Sequence, residues 1–427
     1  MSKQLAVILI VCLSTVCGFA QRENDSIKIT PLERQYLDYI QRYDSLSRQQ
    51  SSAQKNMNKM VDFQQRVTNY MYGDNPNDDK FRAKLILPVG SRPEYGISVG
   101  AGVDLSFKTK KEMNLHRSSV PVYAAFSVKS PFSYEIRATP DIYLHHNLIR
   151  VGGDFHYIQW QDNFYGVGYS EVRDRVKEKG VTTYMYRRMR LDPKVMLCIF
   201  NQWWYVGALG SVIKQYVYRP GTFVQGYDQY QQQGFNEDGG SYTIGGGINV
   251  VFDTREADYW RMLFDVKMLY YGGSGYSYGK LQVDYRQYEN IAGYKNSTLA
   301  WGICSSNVFG KNIPMFEYAS IGDIYSFRGY LGNQYRDNSA IKASIEYRYH
   351  FNFDSYWGRL IVNRLGFSVF AGIGAIGPKI LKYECALPNF GAGVRFQLTE
   401  KRAFRFECAY NTVNRKCTLY WGISEAF

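Results

Sequence analysis

Residues 341–351 read IKASIEYRYHF, and every second side chain in this stretch is apolar or aromatic. The side chains between them are those of Lys, Ser, Glu, Arg and His. A period of two is typical of a β-strand, in which successive side chains point to opposite faces of the sheet. RAFRFECAY (402–410) and GAGVRFQL (391–398) repeat the pattern. These stretches predict strands with one apolar face and one charged face.

The charged face favours a membrane barrel over a soluble β-sandwich. Charges of both signs are costly against lipid, but they can pair across the wet lumen of a barrel. The 427 residues include 38 Tyr, 25 Phe and 39 Gly, and they end in Phe427, as many outer-membrane barrels end in an aromatic residue. Residues 81–427 contain fifteen or sixteen candidate strands, and bacterial barrels have even numbers. Residues 82–90 are either the first strand or a plug-like lead-in.

We therefore predict an all-β fold for residues 81–427, namely a 16-stranded antiparallel transmembrane β-barrel. A barrel of this kind belongs in the outer membrane of a Gram-negative bacterium. The net charge of the whole chain is +13, and its charged residues are spread over strands and loops. This distribution favours lumen charges and contact with lipid or lipopolysaccharide over nucleic-acid binding.

The N-terminus has the features of a secretory signal peptide. In residues 1–20 a basic Lys3 precedes an apolar stretch, and small residues stand at Gly18 and Ala20. This pattern predicts cleavage before Gln21. A short membrane anchor is the alternative, but the apolar run is short for a membrane span.

Residues 21–80 differ in composition from the rest and are rich in Gln, Arg, Asp and Asn. Apolar residues recur at helical spacing on both sides of Ser51 and Ser52. A helical hairpin, a coiled-coil arm and a largely disordered linker all fit this pattern. We expect a short periplasmic segment of this kind, ending at the turn-rich GDNPNDDK (73–80), and it is a candidate docking site for a periplasmic or outer-membrane partner.

The residues that usually carry chemistry form no recognisable site. The cysteines after residue 20 are odd in number, lack CxxC spacing, and predict neither a disulfide framework nor a zinc site; they are Cys198, Cys304, Cys385, Cys408 and Cys417. The sequence contains no HExxH zinc signature and no Walker loop. We expect no enzymatic activity, no metal and no cofactor.

Four motifs in a fixed order make the chain resemble a known family. They are RPEYGISVGAG (92–102), DNFYGVGYS (162–170), VVFDTREADYW (250–260) and SIGDIYSFRGYLGNQYRDN (320–338). Over residues 88–427 the chain resembles the bacterial surface antigen barrels, the superfamily of BamA, TamA and the two-partner-secretion transporters. The resemblance marks the turn residues Phe164, Tyr165, Gly166, Gly168, Asp253, Thr254 and Arg255.

The resemblance also implies a role for Phe327, Arg328, Gly329 and Tyr330. In the family this tip lies on a long extracellular loop that folds into the barrel, where the arginine pairs with an acidic residue on the wall. The usual acidic position is occupied here by Gly372, within FAGIG (370–374). We therefore expect Glu407 or Glu346 to be the partner and favour Glu407.

The resemblance implies insertion of proteins into the outer membrane or translocation across it, with outer-membrane proteins as clients. In the family a weak seam joins the first and last strands and accepts a client strand. We expect that seam between the strand from Tyr95 to Phe107, weakened by Gly96, Gly100 and Gly102, and residues 417–427, which include Trp421, Gly422 and Phe427. Family members that handle clients carry periplasmic α/β (POTRA) domains, for which residues 21–80 leave no room. A passive or plugged channel, or a subunit of a larger complex, is the alternative.

Overall fold

The structure is a computed structural model. It describes residues 52, 54–60, 81–92, 96–109, 116–128, 132–177, 182–220, 240–255, 261–291, 296–322, 327–353, 362–399 and 402–423. Two compact units are separable, Met1–Gln65 and Arg66–Phe427. In the first unit, residues 54–60 form a helix. The predicted signal peptide and most of the predicted periplasmic segment lie outside the described residues.

Strands dominate the second unit. They are β1 Arg82–Ile86, β2 Val89–Arg92, β3 Gly96–Phe107, β4 Ser118–Ser127, β5 Ser133–Ala138, β6 Asp141–Leu144, β7 Ile149–Phe164, β8 Thr182–Cys198, β9 Trp204–Pro220, β10 Ser241–Asp253, β11 Arg261–Gly273, β12 Tyr276–Asn290, β13 Ser297–Lys311, β14 Ala319–Ile321, β15 Tyr335–Asp337, β16 Ser339–His350, β17 Leu365–Gly377, β18 Leu387–Thr399, β19 Arg402–Asn411 and β20 Lys416–Ile423. A helix, Tyr169–Lys177, and two 3-10 turns, Met315–Glu317 and Val362–Arg364, complete the described elements.

The strands close into an antiparallel barrel with 16 positions, as predicted. Each strand pairs with the next around the ring, and β20 returns to β2. β1 and β2 share one position because both pair with β3 in the same register, with Ile86 opposite Gly102 and Val89 opposite Val99. Residues 82–90 are therefore part of the first barrel strand, interrupted at Leu87 and Pro88. A proline has no N–H to donate to a ladder, which explains the interruption.

The predicted alternation of faces is confirmed in the C-terminal strands. Val394 is 60% exposed and faces outward, whereas the adjacent Arg395 is 2% exposed. Phe406 is 46% exposed, and its neighbour Glu407 is 1% exposed. The apolar outer face suits lipid and the charged inner face suits the lumen, so the barrel lies in the outer membrane of a Gram-negative bacterium. No described helix is long and apolar enough to cross a membrane.

The longest connections lie at the end opposite the start of β1 and the end of β20. This end carries the connection that contains the helix Tyr169–Lys177 and the connection of residues 312–338 between β13 and β16. Long loops are typical of the extracellular end of an outer-membrane barrel. We call residues 312–338 the lumen loop.

The predicted seam strand is wrong. The described residues of β20 pair with β2, not with β3, through Gly90 opposite Gly422 and Ser91 opposite Trp421. Gly96, Gly100 and Gly102 belong to β3, the second position of the ring. A side chain at Gly100 or Gly102 would collide with the backbone of β4, so these glycines permit close strand packing rather than weaken the seam. Phe427 lies outside the described residues.

The cysteine spacing predicted no disulfide framework, but the described residues contain one disulfide. Cys408 and Cys417 form a disulfide across the β19–β20 hairpin, with a Cα–Cα distance of 6.5 Å. They are diagonal neighbours in the ladder, since Tyr410 lies opposite Cys417. A search for CxxC spacing could not reveal this pair, because the two cysteines meet only through the register of the β19–β20 hairpin. Cys198, Cys304 and Cys385 are free.

Candidate functional site: a loop anchored in the barrel lumen

The lumen loop contains short ordered elements of its own. Residues Met315–Glu317 form a 3-10 turn, and β14 pairs with β15 as a separate two-stranded sheet. Between them the tip, Phe327 to Tyr330, is almost fully buried, with each of Phe327, Arg328 and Tyr330 no more than 3% exposed. A loop of polar and aromatic residues can be buried in this way only if its charges find partners.

Arg328 finds two partners, and they are the two predicted candidates. Its Nη2 donates to Glu346 Oε2 at 2.5 Å and its Nη1 to Glu407 Oε1 at 2.8 Å. Glu346 lies on β16 and Glu407 on β19, and both are no more than 1% exposed. The planar guanidinium presents several N–H groups in a fixed fork, so one arginine can bridge two strands.

Three wall arginines surround the same two carboxylates. Arg348 and Arg395 donate to Glu346 at 2.7 and 3.0 Å, and Arg405 donates to Glu407 at 2.9 Å. We call these three together with Arg328, Glu346 and Glu407 the arginine cluster. It contains four positive and two negative charges. The wall carboxylates therefore keep a cationic partner whether or not the loop is docked.

Gly372, which stands where the resemblance led us to expect an acidic residue, makes room for the loop. A Cβ at Gly372 would lie 2.6 Å from Asn389 Oδ1 and 3.1 Å from Phe327 Cε2, and one at Gly374 would lie 3.0 Å from Phe327 Cζ. The Phe327 ring thus lies where wall side chains would otherwise project. The guanidinium carbon of Arg328 sits 3.5 Å from the centre of the Phe370 ring, a cation–π contact.

The backbone of the tip is held as tightly as its side chains. Gly329 has φ of +96°, a conformation that glycine adopts without strain. Its N–H donates to the Tyr420 hydroxyl at 3.0 Å, and Asn389 Nδ2 donates to the carbonyl of Arg328. The Tyr330 hydroxyl donates to Pro388 O at 2.8 Å. The tip therefore contacts every strand from β16 to β20.

In a second anchor the charges are reversed, since the loop supplies the acidic residue and the wall supplies the cations. Glu317 of the loop is 3% exposed and accepts from Lys280 Nζ of β12 at 2.8 Å. Arg188 and Arg190 of β8 lie 3.6 and 4.0 Å from its Oε1. Burial alone would raise the pKa of the Glu317 carboxyl, but these three cations outweigh burial and hold the pKa at about 2. The residue is ionised at neutral pH.

A third anchor joins the loop to β7. Arg336 Nη2 donates to Asp162 Oδ2 at 3.0 Å, and both residues are buried. Asn333 Nδ2 and the Tyr184 hydroxyl lie 3.3 Å from the same oxygen. Sequence reasoning missed the second and third anchors. Their only signal was a charged residue beside aromatic residues, in MFEY (315–318) and QYRD (334–337).

The turn after β7 packs directly on the lumen loop. Phe164 and Tyr165 are 3% and 4% exposed, and Tyr165 belongs to the apolar cluster that contains Phe327 and Tyr330. Gly166 and Gly168 have φ of +100° and +83°, and the Gly168 N–H donates to Arg336 O at 2.8 Å. The structure thus brings two of the four motifs together.

The turn after β10 is separate from this site. It lies at the barrel end where β1 begins and β20 ends, and there Arg255 and Asp253 pair at 2.7 Å. The Thr254 hydroxyl accepts from Met262 N at 3.1 Å and closes the turn. These contacts stabilise a hairpin and touch no part of the lumen loop that the structure describes.

Two stretches match enzyme spacing but lie in strands. Residues 275–279 (GYSYG) have the spacing of a hydrolase nucleophile turn, yet they run from a tight turn into β12 rather than from a strand into a helix. Residues 372–377 (GIGAIG) have the spacing of a dinucleotide loop but belong to β17. Among the described residues there is no group of three metal-ligating side chains.

Comparisons with known proteins support the fold. No family model and no curated protein matches the chain. Among solved structures, the chain is similar to CdiB from Acinetobacter baumannii, with a TM-score of 0.50, 9% identity, and coverage of 81% of this chain and 59% of that one. CdiB from Escherichia coli also has a TM-score of 0.50, at 9% identity, covering 80% and 62%. This chain thus spans about three fifths of the CdiB length.

Proposed function

We propose that this outer-membrane barrel assists the insertion of proteins into the outer membrane or their translocation across it. The observation that carries the proposal is the arginine cluster, in which the Arg328 tip is anchored on the wall that ends at the seam. Anchoring of this kind is what the resemblance to the surface antigen barrels implies. The structural similarity to CdiB, another outer-membrane barrel, supports the fold on which the proposal rests.

The seam supplies the mechanism that we propose. Two described register pairs join β2 to β20, and at one of them glycine faces glycine. Separation of these strands would expose unpaired N–H and C=O groups, to which a client strand can add by backbone hydrogen bonding. The lumen loop would hold β20 in place while β2 moves.

A plugged channel is the second candidate, and the three anchors favour it. They attach one loop to β7, β8 and β12 and also to β16 and β19, so the loop is fixed to well-separated parts of the ring. A barrel filled in this way would conduct few ions in its resting state. The same barrel could serve as a subunit of a larger complex, with residues 21–80 as the docking arm.

Depletion of the protein separates the two candidates. We expect several unrelated outer-membrane proteins to decline when it is depleted, measured by quantitative proteomics of the outer membrane. A pull-down with residues 21–80 identifies any partner of this segment. If outer-membrane protein levels hold, while the purified barrel conducts ions in planar bilayers only after Arg328→Ala, the plugged channel is the correct function.

A further inference from the structure

The second anchor holds a short peptide segment of the lumen loop against the barrel wall. Its wall residues come from β8, β9 and β12, and its occupant is the segment PMFEY (314–318) of the lumen loop. We call the lumen-facing group Tyr184, Tyr186, Arg188, Arg190, Gln215 and Lys280 the wall site. It lies apart from the arginine cluster, which is formed on β16, β18 and β19.

One half of the wall site is aromatic. The Phe316 ring lies with its centre 6.1 Å from Tyr184 and 6.3 Å from Tyr186. The preceding Met315 is fully buried in an apolar cluster with Phe164 and Tyr184. Ring pairs at these separations add a directional contact to the burial of apolar area.

The other half is cationic and contacts both the backbone and the side chains of the loop segment. Lys280 donates to the Glu317 carboxylate at 2.8 Å. Arg188 donates to the carbonyl oxygen of Phe316 at 3.4 Å, and its guanidinium lies 5.9 Å from the centre of the Phe316 ring. One arginine therefore contacts an aromatic side chain, the peptide bond after it and the acid that follows.

Without its occupant, the wall site would keep an excess of positive charge. Asp192 accepts from Arg190 Nε at 2.6 Å, which leaves two of the three cations without a carboxylate of their own among the described wall contacts. Gln215 is 2% exposed, its Oε1 accepts from Arg188, and its Nε2 has no partner among the described residues. The empty wall site would present donors that require an anion.

We propose that the wall site binds polypeptide segments in which an acidic residue follows an aromatic residue, and that residues 314–318 are its internal ligand. A client that carries such a pair displaces the loop from β8 and β12 and thereby loosens the second anchor. The identity of the occupant as a client rests on the proposed function; the binding of such a peptide does not. An internal ligand competes at an effective concentration in the millimolar range, so the intact protein binds the free peptide weakly.

The test uses a dye-labelled PMFEY peptide and the full chain in detergent, with fluorescence anisotropy as the readout. In the variant F316S/E317Q the internal ligand is weakened, so the peptide should bind at least about tenfold more tightly than to the unmodified protein. A peptide with Gln in place of Glu should bind about tenfold more weakly than PMFEY, because its charge is lost. Adding Lys280→Met to the loop variant should remove binding, and Arg188→Gln serves as a second wall variant if that protein does not fold.

Equal affinity for the unmodified protein and the loop variant would overturn the proposal, as would binding that persists in both wall variants. Displacement of the peptide by inorganic phosphate at the same concentration as unlabelled peptide would also overturn it, because the wall site would then be a simple anion contact. The readout is independent of client assembly. Peptide binding with unchanged outer-membrane protein levels on depletion would refute the proposed function and leave the wall site standing.

Discussion

The two edges of β20 are held in very different ways. On one edge, eight register pairs join β20 to β19, and the Tyr420 hydroxyl also bonds to the tip of the lumen loop. On the other edge, two described pairs join β20 to β2, and Gly90 faces Gly422. Among the described residues, the strand thus has one edge that is paired along its whole length and fixed to the loop, and one edge that is paired at two positions.

Under the proposed function, the difference between the two edges predicts where the barrel opens and which strands move. The interruption at Pro88 shortens the strand on the β2 side of the seam, and facing glycines contribute no cross-strand side-chain contact. The tip of the loop contacts β16 to β20, and the described contacts of the loop include none with β2. Opening should therefore move β1 and β2 away while β20 stays with the loop.

Arg328→Ala should have the largest effect on docking of the lumen loop against the wall from β16 to β20. It removes both ion pairs of the loop tip, and we expect docking of the loop to weaken by about 3 kcal/mol. Glu346 and Glu407 keep their wall arginines, so the barrel itself should still fold. Conductance in planar bilayers should rise, and Arg415→Ala, a change at an exposed turn arginine, should leave conductance unaltered. Equal conductance of the two variants would mean that the arginine cluster does not hold the loop.

Gly372→Ala should have the next largest effect. The new Cβ would press on Asn389 and Phe327 and on the carbonyl oxygen of Ala343, which it would approach to 2.9 Å. Overpacking of this kind costs about 1–3 kcal/mol, so protease access to the loop should increase. Gly246→Ala is the matched control, because a Cβ at that strand glycine meets nothing within 4 Å. Identical protease patterns for the two variants would contradict the packing of the Phe327 ring against Gly372 and Gly374.

Tyr420→Phe should have the smallest effect. The hydroxyl accepts from Gly329 N at 3.0 Å and lies 3.4 Å from Tyr330 O, and its loss should weaken docking by about 1 kcal/mol. A double-mutant cycle with Arg328→Ala measures the coupling between the two contacts. Strict additivity would show that Tyr420 and Arg328 act on separate parts of the loop.

The sequence predicted well what depends on local pattern. Alternation in 341–351 and 391–410 identified strands, faces and a membrane barrel, because the side-chain period of two is a local property. The resemblance pointed to Arg328, and the inward-facing positions of Glu346 and Glu407 made them its candidate partners. A glycine replaces the expected acidic residue at position 372 because the Phe327 ring packs there, and only the structure shows this contact.

What depends on register could not be predicted in the same way. The glycines in 96–102 predicted that the strand from Tyr95 to Phe107 forms the seam, whereas Gly90 and Ser91 of β2 pair with β20 instead. The Cys408–Cys417 bond depends on the register between β19 and β20. The anchors at Glu317 and Arg336 depend on the path that the lumen loop takes through the barrel. Charged residues in an aromatic setting indicated only that partners must exist.

A disulfide across the seam tests most directly whether β2 and β20 must separate for the protein to assemble its clients. Ser91→Cys and Trp421→Cys join a register pair of β2 and β20, in a background where Cys198, Cys304 and Cys385 are replaced by Ser. Met268→Cys and Leu281→Cys provide the control across β11 and β12, which thirteen register pairs already join. With each variant as the only copy in the cell, we expect oxidation of the seam pair to lower outer-membrane protein levels and oxidation of the control pair to leave them unchanged. Normal levels with a fully oxidised seam would contradict the account.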